Sequence, residues 1–453
     1  MRNLYLMEEG KLYEYGGRRI PFDGYADLVT VLRDNLGVIF TGSLSSYKDF
    51  PFLAEAVRDS KSKCICTKRG SPQLVRISTR AGSRWVISAD SWNDVVDMDM
   101  LDRMWDVYEH FGVGFAPTMS SLGVKYMRYV WNLYGLRKHS ALPLSCENFI
   151  KRYSPSAFVH TERLGEFDTL EYADMTGAYL SKYVLEPDGP ATFFKSCMVE
   201  DWATYFARCT IEIQSELALG PFPNKMPRGS RKKYGYPVLP GVYKNVYIWK
   251  EQVRDCIEAG CKVSVHEGWA WNEFTTDNLA WVQHAFDLRQ SAPTPDAKKK
   301  AKACCLAVIG HMGMDRTNYI LIENGGDRDT DRCLVDINHD PIDLWIREEY
   351  DSRSAVMNHW WDYTRQMTSH EVYRYALPFA QQGRLIAVDH DMILVLEDSN
   401  DGPVVRKYSA EAAVCPPGTW LWQLIHNVSV IGHRRFKSDE ITHLPGIHRE
   451  LVA

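Results

Sequence analysis

Residues Gly383-Arg384-Leu385-Ile386-Ala387-Val388-Asp389-His390-Asp391-Met392-Ile393-Leu394-Val395-Leu396 decide how this chain is read. Apolar, largely branched residues stand on both sides of a short polar break. That is the pattern of a hairpin taken from the middle of a sheet. Asp389 and Asp391 occupy the break. A carboxylate placed in a sheet core must be neutralised or matched to a cation. A divalent metal is the simplest partner; a polar turn with solvated tips is the plain alternative.

Two segments upstream bear on that choice. In Thr169-Leu170-Glu171-Tyr172-Ala173-Asp174-Met175-Thr176-Gly177-Ala178-Tyr179-Leu180-Ser181 a strand-like stretch ends in Asp174. Gly177 allows a tight turn into a helix carrying Tyr179. An acid at a strand end, before a turn and a helix, is a frequent ligand position; a helix-capping Asp is the alternative. The other segment is Lys298-Lys299-Lys300-Ala301-Lys302-Ala303-Cys304-Cys305-Leu306-Ala307-Val308-Ile309-Gly310. Lys302, Leu306 and Ile309 fall on one helical face, and the helix is expected to end at Gly310. Lys298 to Lys300 read as a solvated charge run. Lys302 fits that reading less well, because an apolar stretch follows at once.

Taken in order, these segments resemble motifs A, B and C of the family B DNA polymerases. Asp174–Ser181 stands against Asp-x-x-Ser-x-Tyr-Pro-Ser, Lys302–Gly310 against Lys-x-x-x-Asn-x-x-Tyr-Gly, and Ala387–Met392 against Tyr-x-Asp-Thr-Asp-Ser. The long A-to-B gap and shorter B-to-C gap are nearest the compact, protein-primed viral branch. Between A and B, Tyr243–Glu251 with Ala259–Val263 resembles a palm segment, and Phe286–Arg289 the end of the first fingers helix. The resemblance spans roughly residues 153 to 450. Leu306 and Ile309 replace Asn and Tyr in B. Ala387, His390 and Met392 replace Tyr, Thr and Ser in C. Gly177 and Leu180 replace Ser and Pro in A. The carboxylates and the lysine are kept, while residues around the nascent base pair are not. That pattern fits an active but divergent enzyme, with fidelity and primer handling the properties put in question.

The resemblance implies an α+β right-hand polymerase, with palm, fingers and thumb behind an N-terminal exonuclease-like α/β domain. The implied boundaries are 1–145 for the exonuclease-like domain, 146–275 for the first part of the palm and 276–316 for a fingers hairpin. Residues 317–400 would form the second part of the palm with an insertion, and 401–453 the thumb. The implied activity is template-dependent addition of deoxynucleotides. Asp174 and Asp391 would be the principal metal ligands and Asp389 an auxiliary one, for magnesium or manganese. Oxygen ligands suit magnesium, which keeps several waters and needs few carboxylates. Arg289 and Lys302 would stabilise the charge that builds on the triphosphate, and Lys302 could also protonate the pyrophosphate. Tyr179 would lie under the sugar, with Leu306 and Gly310 completing the nucleotide site. His433-Arg434-Arg435-Phe436, followed by Leu444–Ile447, resembles a basic-aromatic primer contact. Lys232 and Lys233 join Arg434 and Arg435 as expected DNA ligands. The implied partners are a DNA primer-template, deoxynucleoside triphosphates and a terminal protein or other replication proteins, in a viral or mobile-element setting.

Residues 1 to about 145 mix short strands with helices, including an amphipathic helix from Met98 to Gly112. No Asp-x-Glu occurs there to start a proofreading site. In the stretch Thr41–Phe52, where a second signature would fall, only Asp49 is a candidate relic. The expectation is a non-catalytic exonuclease remnant.

The 453 residues, 45% hydrophobic, suffice for two or three domains with cores. No apolar run approaches a bilayer span and no signal peptide is seen, so no membrane partner and a cytoplasmic location are expected. Eleven scattered cysteines without a Cys-x-x-Cys pair read as reduced thiols. The formal net charge of −5 runs against the basic footprint of most nucleic-acid binders. The bases are clustered instead, at Arg228, Arg231, Lys232 and Lys233, at Lys298 to Lys302, and at Arg434, Arg435 and Lys437. Local patches suffice to hold a phosphate backbone. Trp360, Trp361, Trp420 and Trp422 offer rings for base stacking, although core packing is the commoner use. Two other readings stay open: a primase-like transferase that starts chains unaided, and a catalytically inactive nucleic-acid-binding relative.

Overall fold

The computed structural model describes residues 3–8, 11–17, 19–23, 27–28, 30–31, 37–41, 63–66, 72–79, 82–88, 92, 99–116, 118–136, 142–195, 202–226, 234–314, 317–323, 332–335, 341–350, 357–398, 405–407, 409, 415–432 and 435–438. The chain divides into two compact units, 1–136 with 283–356, and 137–282 with 357–453.

The first unit is built on a ten-stranded sheet. Asn3–Glu8 lies between the parallel strand Gly37–Thr41 and the antiparallel strand Lys11–Glu14. Past Gly37–Thr41 come Gly82–Ser88, Pro72–Thr79 and Lys63–Cys66. The sheet then continues into Thr317–Glu323, Pro341–Tyr350 and Arg332–Val335. Residues 317–350, expected in the second part of the palm, thus extend the N-terminal sheet, with Ile320 opposite Ile65. Nothing in their sequence marks the distant edge that receives them. The amphipathic helix is Met100–Phe111, closed by Gly112 at φ 64°. A left-handed residue there is the ordinary glycine stop. The Thr41–Phe52 stretch lies outside the described residues beyond Thr41.

Helix Pro295–Met312 begins as its sequence requires. Thr294 accepts a hydrogen bond from Ala297 N and Pro295 takes the first turn. It ends at Gly313, not Gly310, so Gly310 lies within the helix. Ala301, Cys304, Cys305, Val308 and Ile309 are buried, and the helix crosses Met119–Leu133 at Gly123. Two expectations change here. Lys300 is buried and holds Asp296 at 2.6 Å, so it is no solvated charge. Ile309 is buried while Lys302 is exposed, so the expected common face divides.

In the second unit the central strand is Gly165–Met175. On one side lies Met392–Val395, then Leu385–Asp389 and Val159–Thr161; on the other lies Trp420–Gly432, then Val405–Arg406. Residues 401–453 were expected to form the thumb. Instead, Trp420–Gly432 pairs along the length of Gly165–Met175, from Trp420 opposite Met175 to Val430 opposite Gly165. Ala173, Met175, Val388, Ile393 and Val395 form one sheet face, packed on Val372, Tyr373 and Ala376. Leu170, Tyr172, Ile386, Met392 and Leu394 form the other, with Ile425 and Val428. A four-stranded sheet, Thr192–Lys195, Lys262–Trp271, Thr204–Ile213 and Gly241–Trp249, completes the unit with helix Lys250–Glu258.

Helix Asn358–Gln381 leads into the hairpin strand Leu385–Asp389. Its buried side carries Asp362, Thr364, Gln366, Thr368 and Ser369 in place of an apolar stripe, so the usual periodicity is missing. These five side chains are all hydrogen-bonded. Asp362 accepts from Trp249 Nε1 at 3.0 Å and from Ser154 Oγ. Tyr363 Oη and Thr204 Oγ1 donate to Glu251, and His370 Nδ1 lies 2.5 Å from Asp255. Burial pushes the carboxyls of Asp362, Glu251 and Asp255 upward in pKa. Trp360 is fully buried and donates to Pro187 O, and Trp422 sits in the core, which is the packing role that competed with base stacking.

Candidate active site

The polar break of the hairpin is a two-residue turn. Asp389 pairs with Met392, and His390 and Asp391 close the loop. So short a turn needs a left-handed residue, and His390 takes that role at φ 59°. Its backbone N–H donates to Phe158 O at 2.9 Å, and Met175 N–H donates to Asp391 O at 2.9 Å. The first bond ties the turn to the residue before strand Val159–Thr161, and the second to the end of strand Gly165–Met175. Asp174 lies opposite Met392 on one side and Leu421 on the other. Gly177 at φ 54° then turns the chain into helix Ala178–Lys182, and Tyr179 there is half-buried.

Asp174 and Asp391 are therefore brought together at one end of adjacent strands. Asp391 is pushed up to about 6 by burial first, then by the negative charge of Asp174, with a smaller contribution from Asp389. His390 acts in the opposite direction. Two carboxylates that oppose each other's ionisation form a site where a cation is favoured. Asp389 differs. It is 2% exposed, and its Oδ1 accepts from His390 Nδ1 at 2.5 Å. Among the described residues no group of three or more His, Cys, Asp or Glu side chains is assembled for a metal. Of the three expected carboxylates, Asp174 and Asp391 lie together, and Asp389 has one oxygen engaged by His390. Two hard oxygen donors fit magnesium, which completes its shell with water and substrate oxygens.

The expected nucleotide cations lie in the first unit. Arg289 is half-buried, its Cζ 6.0 Å from the Phe286 ring centroid. Its Nε has no hydrogen-bond partner among the described residues. Burial lowers its pKa while Cys305 of the lysine helix acts to raise it. Arg289 thus stands against the turn of Pro295–Met312 that follows the exposed Lys302. Leu306 is half-buried and Gly310 exposed, with nothing within 4 Å of where a Cβ would stand. Lys232, Lys233 and Arg434 lie outside the described residues, as do Arg228 and Arg231. Arg435 opens the strand Arg435–Lys437, and only its backbone is described.

Three residues beside the carboxylates escaped the sequence reading. Lys407 Nζ stands 3.7 Å from Asp174 Oδ2 and 4.8 Å from the Tyr172 ring centroid. Arg406 Nη1 donates to Glu171 Oε1 at 2.9 Å. Glu171 is buried on the helix-covered side. The available signal was the basic pair Arg406-Lys407, but nothing in the spacing ties it to Asp174. No helix among the described residues is long and apolar enough to cross a membrane.

This mixed helix-and-strand architecture is similar to that of a solved DNA polymerase. The likeness extends over nearly the whole chain in Phi29 DNA polymerase. The ternary complex of that enzyme with primer-template DNA and incoming nucleotide substrates superposes at a TM-score of 0.71 and 12% identity, covering 97% of this chain and 87% of that one. Its complex with single-stranded DNA gives 0.70 and 11% over the same shares. At such identities the likeness is one of fold. No protein-family model matches the chain, and no curated protein matches it in sequence.

Proposed function

We propose that this protein is a template-dependent DNA polymerase that adds deoxynucleotides at the Asp174–Asp391 pair. The observation that carries the reading is the convergence of those carboxylates at one sheet end, on a fold similar to that of Phi29 DNA polymerase. When bound, magnesium would activate the primer 3′-hydroxyl and stabilise the leaving pyrophosphate. Asp174 and Asp391 would hold it, and His390, fixed by Asp389, keeps the turn that aims Asp391. Lys302 and Arg289 are assigned to the triphosphate, and Tyr179 to the sugar. The absence of an Asp-x-Glu before residue 145 supports a chain without 3′–5′ proofreading. The test is extension of a primed DNA template with magnesium and deoxynucleotides, run beside an unprimed template. Template-dependent products from the primer alone support the proposal. Products on the unprimed template would make the protein a primase-like transferase. No product in either lane, with and without a terminal protein, would leave an inactive nucleic-acid-binding relative.

Acidification should switch the activity off through Asp391. Its folded pKa of about 6 lies above the unfolded value of 3.8, so between those values the folded protein holds the extra proton. In the metal-free protein this contribution to stability is present below about pH 4 and lost as pH rises through about 6. A cation needs the ionised form, so its affinity should fall about tenfold per unit below pH 6. Higher magnesium should move the midpoint of the pH–rate curve downward. A midpoint that ignores magnesium would detach it from Asp391.

Tyr179→Ala should raise ribonucleotide incorporation relative to deoxynucleotides by about tenfold or more, because a shape filter against one hydroxyl is removed. Paired competition assays on the two nucleotide types would show it. Unchanged discrimination would take Tyr179 out of the sugar site.

A further inference from the structure

Strand alternation puts Arg406 and Lys407 on opposite faces of the sheet. Arg406 reaches Glu171, 3% exposed, on the helix-covered side, with a direct hydrogen bond of 2.9 Å. Lys407 N–H donates to Trp422 O at 2.7 Å, which fixes its backbone against the neighbouring strand. With the strand so anchored, Lys407 must extend over the other face, where Tyr172 and Asp174 lie. Its ammonium rests on the Tyr172 ring at 4.8 Å and stops 3.7 Å from Asp174 Oδ2. The two contacts of this basic pair differ in kind. The Arg406–Glu171 contact is a charge-assisted hydrogen bond to a buried acid, hard to break. At 3.7 Å, Lys407 and Asp174 are beyond hydrogen-bond reach. Their side chains keep 24% and 32% exposure, so the attraction is Coulombic, screened and exchangeable.

We infer that Lys407 is a built-in counter-ion of Asp174 that competes with the catalytic cation and sets how tightly the empty site takes it. The inference rests on the metal role proposed above for Asp174. A cation arriving at Asp174 meets a positive charge already seated there. It must either displace the ammonium along the Tyr172 ring or bind against its repulsion. Metal occupancy is thereby held down until substrate phosphates enter, because phosphate oxygens both ligate the metal and attract the displaced lysine. Lys407 acts as a positioning residue, with Arg406 and Glu171 as its anchor.

The test uses manganese as the probe, with free ion counted by electron paramagnetic resonance in the absence of nucleotide. Lys407→Met keeps the stem on the Tyr172 ring and removes the charge. It should tighten manganese binding by roughly 3- to 10-fold at low salt, from a unit charge a few ångströms away in a screened site. Lys407→Arg should leave the affinity near wild type. In an Asp174→Asn background the same Lys407→Met change should have no effect on whatever manganese remains bound. Adding a non-hydrolysable deoxynucleoside triphosphate should shrink the gap between wild type and Lys407→Met. Equal or weaker binding by Lys407→Met, or tightening that persists without Asp174, overturns the inference while leaving the metal site intact. Wild-type protein that takes no manganese at all overturns the metal site and this inference together. Circular dichroism of each variant separates these results from unfolding.

Discussion

Asp391→Ala should reduce nucleotide addition by at least about 10³-fold while leaving the protein folded. A carboxylate that anchors the charge stabilising the transition state contributes several powers of ten. Asp174 alone cannot replace it, because it approaches the site from the adjacent strand. The structural cost should be small for three reasons. The hydrogen bond from Met175 N–H to Asp391 uses a backbone oxygen and survives. The turn owes its left-handed residue to His390, not Asp391. The side chain removed is one that burial and Asp174 already hold against ionisation. The metal-free variant should therefore melt at or above the wild-type temperature near pH 7, and Asp391→Asn should behave alike. Single-turnover extension with matched melting curves provides the check. Activity within tenfold of wild type would remove Asp391 from the chemistry. A collapsed melting temperature would show the carboxylate to be structural.

The same residues show what was legible in the chain. The hairpin could be read because two apolar runs flank a break too short for anything but a turn. The strand ending at Asp174 and the glycine turn after it were legible for similar local reasons. The fingers hairpin expected over 276–316 corresponds to helices Asn278–Gln290 and Pro295–Met312, separated by a short turn. What failed was non-local. Trp420–Gly432 carries no sign that its partner is a strand more than two hundred residues earlier, so the C-terminal segment read as the thumb. Residues 317–350 were assigned to the second part of the palm, and nothing local marked their pairing with the N-terminal sheet. Helix Asn358–Gln381 defeated periodicity because its buried side is polar, and polar groups are tolerated there only by virtue of partners such as Trp249, Glu251 and Asp255. Lys407 was invisible for that reason too: its meaning lies in Tyr172 and Asp174, brought to it by sheet pairing.

The helix that carries Lys302 offers the sharpest structural prediction, because two of its glycine contacts pull in opposite directions. Replacing a helical Gly by Ala ordinarily stabilises by about 1 kcal/mol through backbone entropy. At Gly310 that gain should be realised, since a new methyl group meets nothing within 4 Å. At Gly123 it should be overwhelmed. A Cβ there would stand 2.2 Å from Cys304 O and 2.7 Å from Val308 Cγ2. The first of these is backbone in the middle of a helix and cannot rotate aside. The helices must separate, and overpacking of this kind costs roughly 1–3 kcal/mol or more. Gly123→Ala should therefore destabilise by about 2 kcal/mol net, and Gly310→Ala should stabilise by up to about 1 kcal/mol. Urea unfolding of both variants followed at one wavelength gives the comparison, and equal shifts would refute the close crossing at Gly123. The pair also bears on function. If Gly310 faces the nucleotide, as the resemblance to the polymerases implies, Gly310→Ala should raise the nucleotide KM in a protein that is more stable than wild type. A loss of affinity with a gain in stability cannot be blamed on misfolding, so it would assign this helix surface to substrate.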